Sequence, residues 1–98
     1  IDGGSTDKTL QIIEKYSKFI DYYISEKDNG MYDALNKGLF YSTGDLISFC
    51  NSDDMLYSRD TIKQIAESYE KENFDCCYGS VQYVDEELNI LYTTKLVI

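Results

Sequence analysis

Apolar residues along this chain change their spacing from one segment to the next, and the changes mark out alternating helices and strands. Behind the tight loop Asp2-Gly3-Gly4-Ser5-Thr6-Asp7, residues Leu10, Ile13 and Tyr16 recur at helical spacing, which predicts a helix over 7–17. Ser5 or Thr6 can cap it, and Asp7 suits its first turn against the helix dipole. Residues 19–25 are apolar, aromatic and β-branched and read as a strand. After the turn Lys27-Asp28-Asn29-Gly30, Met31, Ala34, Leu35, Gly38 and Leu39 fall at i, i+3, i+4, i+7 and i+8, an amphipathic helix over 31–41. Ser42-Thr43-Gly44-Asp45 ends it and leads into 46–50, which reads as a buried strand. Ile62, Ile65, Ala66 and Tyr69 mark a third helix starting near Ser58 or Arg59. Phe74 to Tyr78 is another short apolar strand. Val81 to Val84 and Leu88 to Tyr92 flank Asp85-Glu86-Glu87 as a hairpin or meander at an edge.

Strands alternating with helices predict an α/β fold, a mostly parallel sheet with helices on both faces. Three loops, 2–7, 26–31 and 51–55, would then project from strand carboxyl ends on one side, where open α/β sheets bind ligands. All three are rich in Asp and Asn. The third holds Asn51-Ser52-Asp53-Asp54, in which adjacent carboxylates repel each other unless something positive lies between or above them. A hard divalent cation that also bridges to substrate phosphates is the usual partner. The plainer alternative is a turn, because Asn, Ser and Asp are all turn formers.

The chain has 98 residues, 43% hydrophobic and 28% charged, enough for one small soluble domain. Eighteen acidic against nine basic residues, with no His, give a formal charge of −9. That argues against a nucleic-acid or anionic-membrane surface, which needs basic patches. It would also repel a phosphate ligand, a conflict that a bound cation resolves locally. Cys50, Cys76 and Cys77 lack the spacing of a zinc site or a disulfide framework and read as small buried hydrophobes in a reducing compartment. No signal peptide and no apolar run of membrane-spanning length stands out, so a cytoplasmic protein is expected. Ile1-Asp2 runs straight into a turn and Thr93 to Ile98 stops without a cap, as if the chain were cut from a longer domain.

Four stretches together resemble a known family: Asp2 to Asp7, Ser25-Glu26-Lys27-Asp28-Asn29-Gly30-Met31-Tyr32-Asp33-Ala34-Leu35-Asn36-Lys37-Gly38, Thr43-Gly44-Asp45, and Asn51 to Asp54. Their order and spacing resemble family 2 glycosyltransferases with the GT-A fold, a Rossmann-like nucleotide-sugar-binding architecture, over essentially the whole chain. The resemblance implies transfer of a sugar from a UDP-, GDP- or dTDP-sugar to a saccharide or lipid-linked acceptor in polysaccharide or glycoconjugate synthesis, metal-dependent and with inversion. It makes residues 1–98 the nucleotide-sugar-binding half of a catalytic domain, with peripheral association at the cytoplasmic face of the membrane open to the whole protein.

Carried over by position, the resemblance gives Asp2 a hydrogen bond to the nucleotide base, which suits a carboxylate facing a base N–H. Asp28 and Asp33 would lie near the nucleotide, and Lys37 could contact base or phosphate or be a solvated helix lysine. Asp54 would hold Mn²⁺ or Mg²⁺ on the diphosphate, with Asp53 facing the ribose or the water shell of the metal. Ser52 stands where the strict Asp-x-Asp pattern has its first acid. The family's first strand would precede Ile1, and the acid that deprotonates the acceptor would lie beyond Ile98. Asp85 to Glu87 come too soon for that role. Two other classes compete: a regulatory α/β module around Mg²⁺, for which 74–80 lacks the expected Lys, and a truncated, non-catalytic nucleotide- or metal-binding fragment.

Overall fold

The computed structural model describes residues 1–94, in two units, one of residues 1–55 and one from Leu56 onward. The first unit contains helix α1 (Thr9–Lys15), a 3-10 turn at Ser17–Phe19 and helix α2 (Met31–Tyr41). Helix α1 is shorter than the expected 7–17 span. The Asp7 carboxylate accepts from the Thr9 amide at 2.9 Å and from the Thr9 hydroxyl at 2.5 Å, so it stands ahead of the first turn and satisfies an amide there. Neither Ser5 nor Thr6 caps it, since Lys8 occupies the N-cap with no side-chain bond.

Helix α2 has the bounds that its periodicity dictates. Gly30, at φ 106°, provides the left-handed turn ahead of it, and Ser42 closes it with its hydroxyl on the Gly38 carbonyl at 2.7 Å. Ala34, Leu35 and Gly38 form its half-buried face. Three contacts seat α2 in this unit. Ile1 lies over Gly38, where a Cβ would meet its Cγ1 at 3.6 Å. Tyr41 stacks on Tyr22 at 4.2 Å between ring centroids. Lys37 reaches the Glu26 carboxylate at 2.8 Å.

The expected strands differ from what forms. Of 19–25, Phe19 belongs to the 3-10 turn, and only Ser25 takes a ladder position, in an isolated parallel bridge with Asp2. The segments 46–50 and 74–78 carry no strand pairing among the described residues. An extended run becomes a strand only when a neighbour satisfies its amides and carbonyls, and none lies beside these. The mostly parallel sheet is therefore represented by a single bridge. Cys50, Cys76 and Cys77, expected buried, are exposed, because no layer covers the segments that carry them.

The second unit begins its helix, α3 (Thr61–Glu72), later than Ser58 or Arg59. Ser58 and Asp60 form a hydroxyl-bonded turn instead, with the Ser58 amide donating to the Thr61 hydroxyl at 3.1 Å. Thr61, Ile65 and Tyr69 form the half-buried stripe of α3. Asn73 ends the helix in the left-handed region at φ 48°, and Phe74 packs edge-to-face on Tyr69. The hairpin forms as expected: β1 (Gln82–Val84) pairs antiparallel with β2 (Ile90–Thr93), and Tyr83 stacks on Tyr92 at 4.3 Å.

Its turn is built by Asp85, whose carboxylate accepts from the Glu87 and Asn89 amides, each at 2.9 Å, and from the Asn89 side chain at 3.1 Å. Those bonds, the Asn89 side chain foremost, hold the Asp85 carboxyl below the usual carboxylate range. The turn then closes through Leu88 at φ 66°, where an L side chain is strained. Leu88→Gly should stabilise the whole protein by about 1 kcal/mol, read as a raised urea midpoint, because glycine adopts this conformation without that cost. An unchanged or lowered midpoint would show that the Leu88 side chain contributes more than its backbone costs.

Among the described residues no apolar side chain is buried, and the one buried residue is Asp2. The most shielded point among the described residues is thus the Asp2 carboxylate, not a hydrophobic core.

Candidate functional site

Asp2 is fixed from both its backbone and its side chain. Its amide donates to the Ile24 carbonyl at 2.9 Å and its carbonyl accepts from the Glu26 amide at 3.1 Å, which is the parallel bridge. On the side chain, Oδ2 accepts from the Gly4 amide at 3.1 Å, the Ser5 amide at 2.8 Å and the Ser25 hydroxyl at 2.7 Å, and Oδ1 accepts from the Ser5 hydroxyl. All these donors favour the charged form, the Ser5 hydroxyl most and Ser25 next, so the carboxyl is held far below the usual range. Gly4, at φ 89°, lets the chain fold back tightly enough for consecutive amides to reach one oxygen.

A depressed folded value fixes the sign of the pH effect. The order that Asp2 gives this loop is fully present above the unfolded value of roughly 4 and is lost as pH falls below it. In the whole protein the Asp2 carboxyl carbon should therefore show no titration step near pH 4 by NMR. A midpoint at the ordinary value would mean that the network does not hold in solution.

The second acidic loop lies against the first. A Cβ built on Gly3 would sit 2.6 Å from Asp28 Oδ2, so the Asp28 carboxylate occupies the space above the Gly3 backbone. Asp28 Oδ1 accepts from the Gly30 amide at 2.9 Å. Asp33 reaches back from the first turn of α2 to accept from the Asn29 amide at 3.0 Å. Lys37 sits one turn further on, 3.7 Å from Asp33 and 2.8 Å from Glu26. Those carboxylates, Glu26 foremost, raise the Lys37 ammonium above its ordinary value and keep it charged. Lys37 thus joins the end of 24–26 to α2.

The third loop is an exposed turn. The Asp54 amide donates to the Asn51 carbonyl at 3.0 Å, and the Asn51 side chain donates to Asp54 Oδ2 at 3.2 Å. Among the described residues no hydrogen bond or ion pair links Asp53 or Asp54 to Asp2, Asp28, Asp33 or Lys37. No group of three or more His, Cys, Asp or Glu side chains stands close enough to hold a metal, again among the described residues. Two exposed carboxylates are nevertheless the donor set that Mg²⁺ or Mn²⁺ takes when water and substrate phosphates fill the remaining positions. Asp53 and Asp54 fit such an ion and do not fit an all-protein cage.

A groove of about 460 Å³ opens in the same unit between Ile1 and residues 46–48, floored by Gly38 and walled by Tyr22 and Tyr41. None of the acidic site residues lines it. Two partners of the site carry no local sequence signal. Ser25 lies 23 residues from Asp2, and Glu26 lies 11 from Lys37, beyond the reach of any periodicity. Ser5 was legible only as a helix cap.

Comparison with known proteins matches residues 1–96 to the family model described as glycosyl transferase family 2. A PGL/p-HBAD biosynthesis glycosyltransferase of Mycobacterium bovis is 38% identical over 85 residues, covering 83% of this chain and 33% of its own length. An uncharacterised glycosyltransferase of Mycobacterium tuberculosis is 37% identical over 68 residues, 69% of this chain and 26% of its own. One from Rickettsia bellii is 34% identical over 89 residues, 89% of this chain and 13% of its own. The chain spans about a third or less of the length of these curated relatives. No solved structure matches it.

Proposed function

The chain belongs to glycosyl transferase family 2, which implies the GT-A α/β fold, and on that premise we propose that the whole protein transfers a sugar from a nucleotide-diphosphate donor. Residues 1–55 form the donor side. The observation that carries this is the packing of the 2–5 loop on the 26–30 loop through Gly3 and Asp28, which makes one continuous rim of oriented acceptors. Such a rim matches the N–H groups of uracil, thymine or guanine, so the donor is a UDP-, dTDP- or GDP-sugar.

Asp54, with Asp53, would hold Mn²⁺ or Mg²⁺ here, and the ion would supply charge neutralisation of the diphosphate leaving group. The Asn51 amide on Asp54 Oδ2 orients that carboxylate. Asp33 and Lys37 brace the 26–30 loop on α2 and keep the base side of the rim in place. The sheet that presents these loops is mostly parallel, in line with the Asp2–Ser25 bridge. The acceptor is a saccharide or a lipid-linked saccharide. The Asp85 carboxylate is consumed by its own turn and does not activate the acceptor hydroxyl. Among the described residues no helix is long and apolar enough to cross a membrane.

Release of nucleoside diphosphate from each donor sugar, measured with and without Mn²⁺, tests this function. Release from one donor that requires the cation is expected of the whole protein. Equal rates in Mn²⁺ and in EDTA would remove the cation from the proposal, and no release from any donor would remove the transferase.

A further inference from the structure

Of the asparagines in the chain, only Asn29 is followed by glycine; Asn36, Asn51, Asn73 and Asn89 precede Lys37, Ser52, Phe74 and Ile90. A glycine amide is the backbone nitrogen best able to attack the side chain of a preceding asparagine, because no Cβ stands in the way. The structure leaves this approach open. Asn29 and Gly30 are both exposed, and a Cβ built on Gly30 would meet nothing within 4 Å. The side-chain amide of Asn29 makes no hydrogen bond among the described residues, whereas that of Asn51 is held by Asp54 and that of Asn89 by Asp85.

The attacking nitrogen itself is held back. The Gly30 amide donates to Asp28 Oδ1 at 2.9 Å, so its proton is engaged, and the negative charge of that carboxylate opposes loss of the proton. On the other side, the Asn29 amide donates to Asp33 Oδ2 at 3.0 Å. The two carboxylates thus fix the main chain before and after the Asn29 side chain.

We propose that Asn29 is a site of spontaneous deamidation, and that the bond from the Gly30 amide to Asp28 sets its rate. The Gly30 nitrogen loses its proton to solvent base and bonds to Cγ of Asn29, and the side-chain nitrogen leaves as ammonia. Water then opens the resulting succinimide at Cγ, which gives aspartate, or at the main-chain carbonyl, which gives isoaspartate. Either product adds a negative charge. Isoaspartate also routes the main chain through Cβ just ahead of α2, and so displaces the turn that Gly30 makes at φ 106°. The inference does not depend on the donor-site function.

Tryptic mapping of the whole protein tests it, after incubation at mildly alkaline pH both folded and in urea. Cleavage after Lys27 and Lys37 releases residues 28–37, and fragmentation separates acid at 29 from acid at 36. Acid should accumulate at Asn29 ahead of Asn36, Asn51, Asn73 and Asn89 in both conditions. The folded protein should convert about 10-fold more slowly than the unfolded one, since a hydrogen bond to a charged group must open first. Asp28→Ala should raise the folded rate about 10-fold, to that in urea, and leave the rate in urea unchanged. Asp28→Ser retains an oxygen acceptor without the charge, so the loop persists and the rate should fall between the two. Acid appearing first at another of these asparagines, equal rates in the folded and unfolded protein, or a folded rate untouched by both Asp28 variants would overturn the inference.

Discussion

Residues 1–98 on their own should show no cooperative thermal unfolding transition. Ordering a chain costs roughly 1–2 kcal/mol per residue in backbone entropy. That is offset chiefly by burying apolar surface, at about 25 cal/mol per Å². Here no apolar side chain is buried among the described residues, and large ones such as Phe40, at 80%, and Tyr57, at 83%, stand almost free. The contacts described bury little apolar surface: a stacked tyrosine pair in each unit, helix caps, one hairpin and one parallel bridge. They cannot replace the net margin of about 5–15 kcal/mol that a folded domain keeps.

The 46–50 segment, unpaired among the described residues, also leaves backbone groups free to pair with another chain. Scanning calorimetry and sedimentation of the isolated 98-residue chain should therefore give a flat heat-capacity trace and association. A sharp transition from a monomer would contradict this.

The second large effect concerns the cation. Nucleotide diphosphates carry their charge into a chain whose own formal charge is −9. Without a cation, binding would have to overcome the repulsion of that field as well as of Asp53 and Asp54 themselves. In the whole protein, Mn²⁺ or Mg²⁺ should thus strengthen UDP or GDP binding by 10-fold or more, about 1.4 kcal/mol. Asp54→Ala should abolish that dependence, leaving the same weak affinity with and without the metal. Asn51→Ala should reduce it only in part, because it removes a hydrogen bond to Asp54 Oδ2 and not the carboxylate. Equal binding in Mn²⁺ and EDTA by the unsubstituted protein would show that Asp53 and Asp54 hold no ion with the nucleotide.

What the sequence makes legible follows from how far each interaction reaches. Helix α2 has the predicted bounds because its apolar spacing and the Asn29-Gly30 turn are both local. The hairpin is legible for the same reason, with the turn that joins its strands written in consecutive residues. Segments 46–50 and 74–78 have strand-like composition, yet composition does not provide a neighbour, and none pairs with them among the described residues.

The acidic loops were legible as a group, and their residue types point to acceptors and a hard cation. The division of labour within them was not. A carboxylate that receives a base and one that organises a turn look alike in sequence. Only the positions of Ser5, Ser25 and the Gly4 amide show how firmly the Asp2 carboxylate is held. Lys37, legible as a phosphate contact or a solvated side chain, is claimed by Glu26 from a different segment.

The central claim is that one nucleotide diphosphate spans the rim formed by the 2–5 and 26–30 loops and the Asp53-Asp54 turn. A crystal structure of the whole protein with Mn²⁺ and the nucleoside diphosphate that binds it measures this directly. The account predicts the base at the rim of the 2–5 and 26–30 loops, the diphosphate at a cation held by Asp54, and all three loops at one mouth of the sheet. A nucleotide bound elsewhere, or Asp2 and Asp28 on the opposite edge from Asp54, would contradict it.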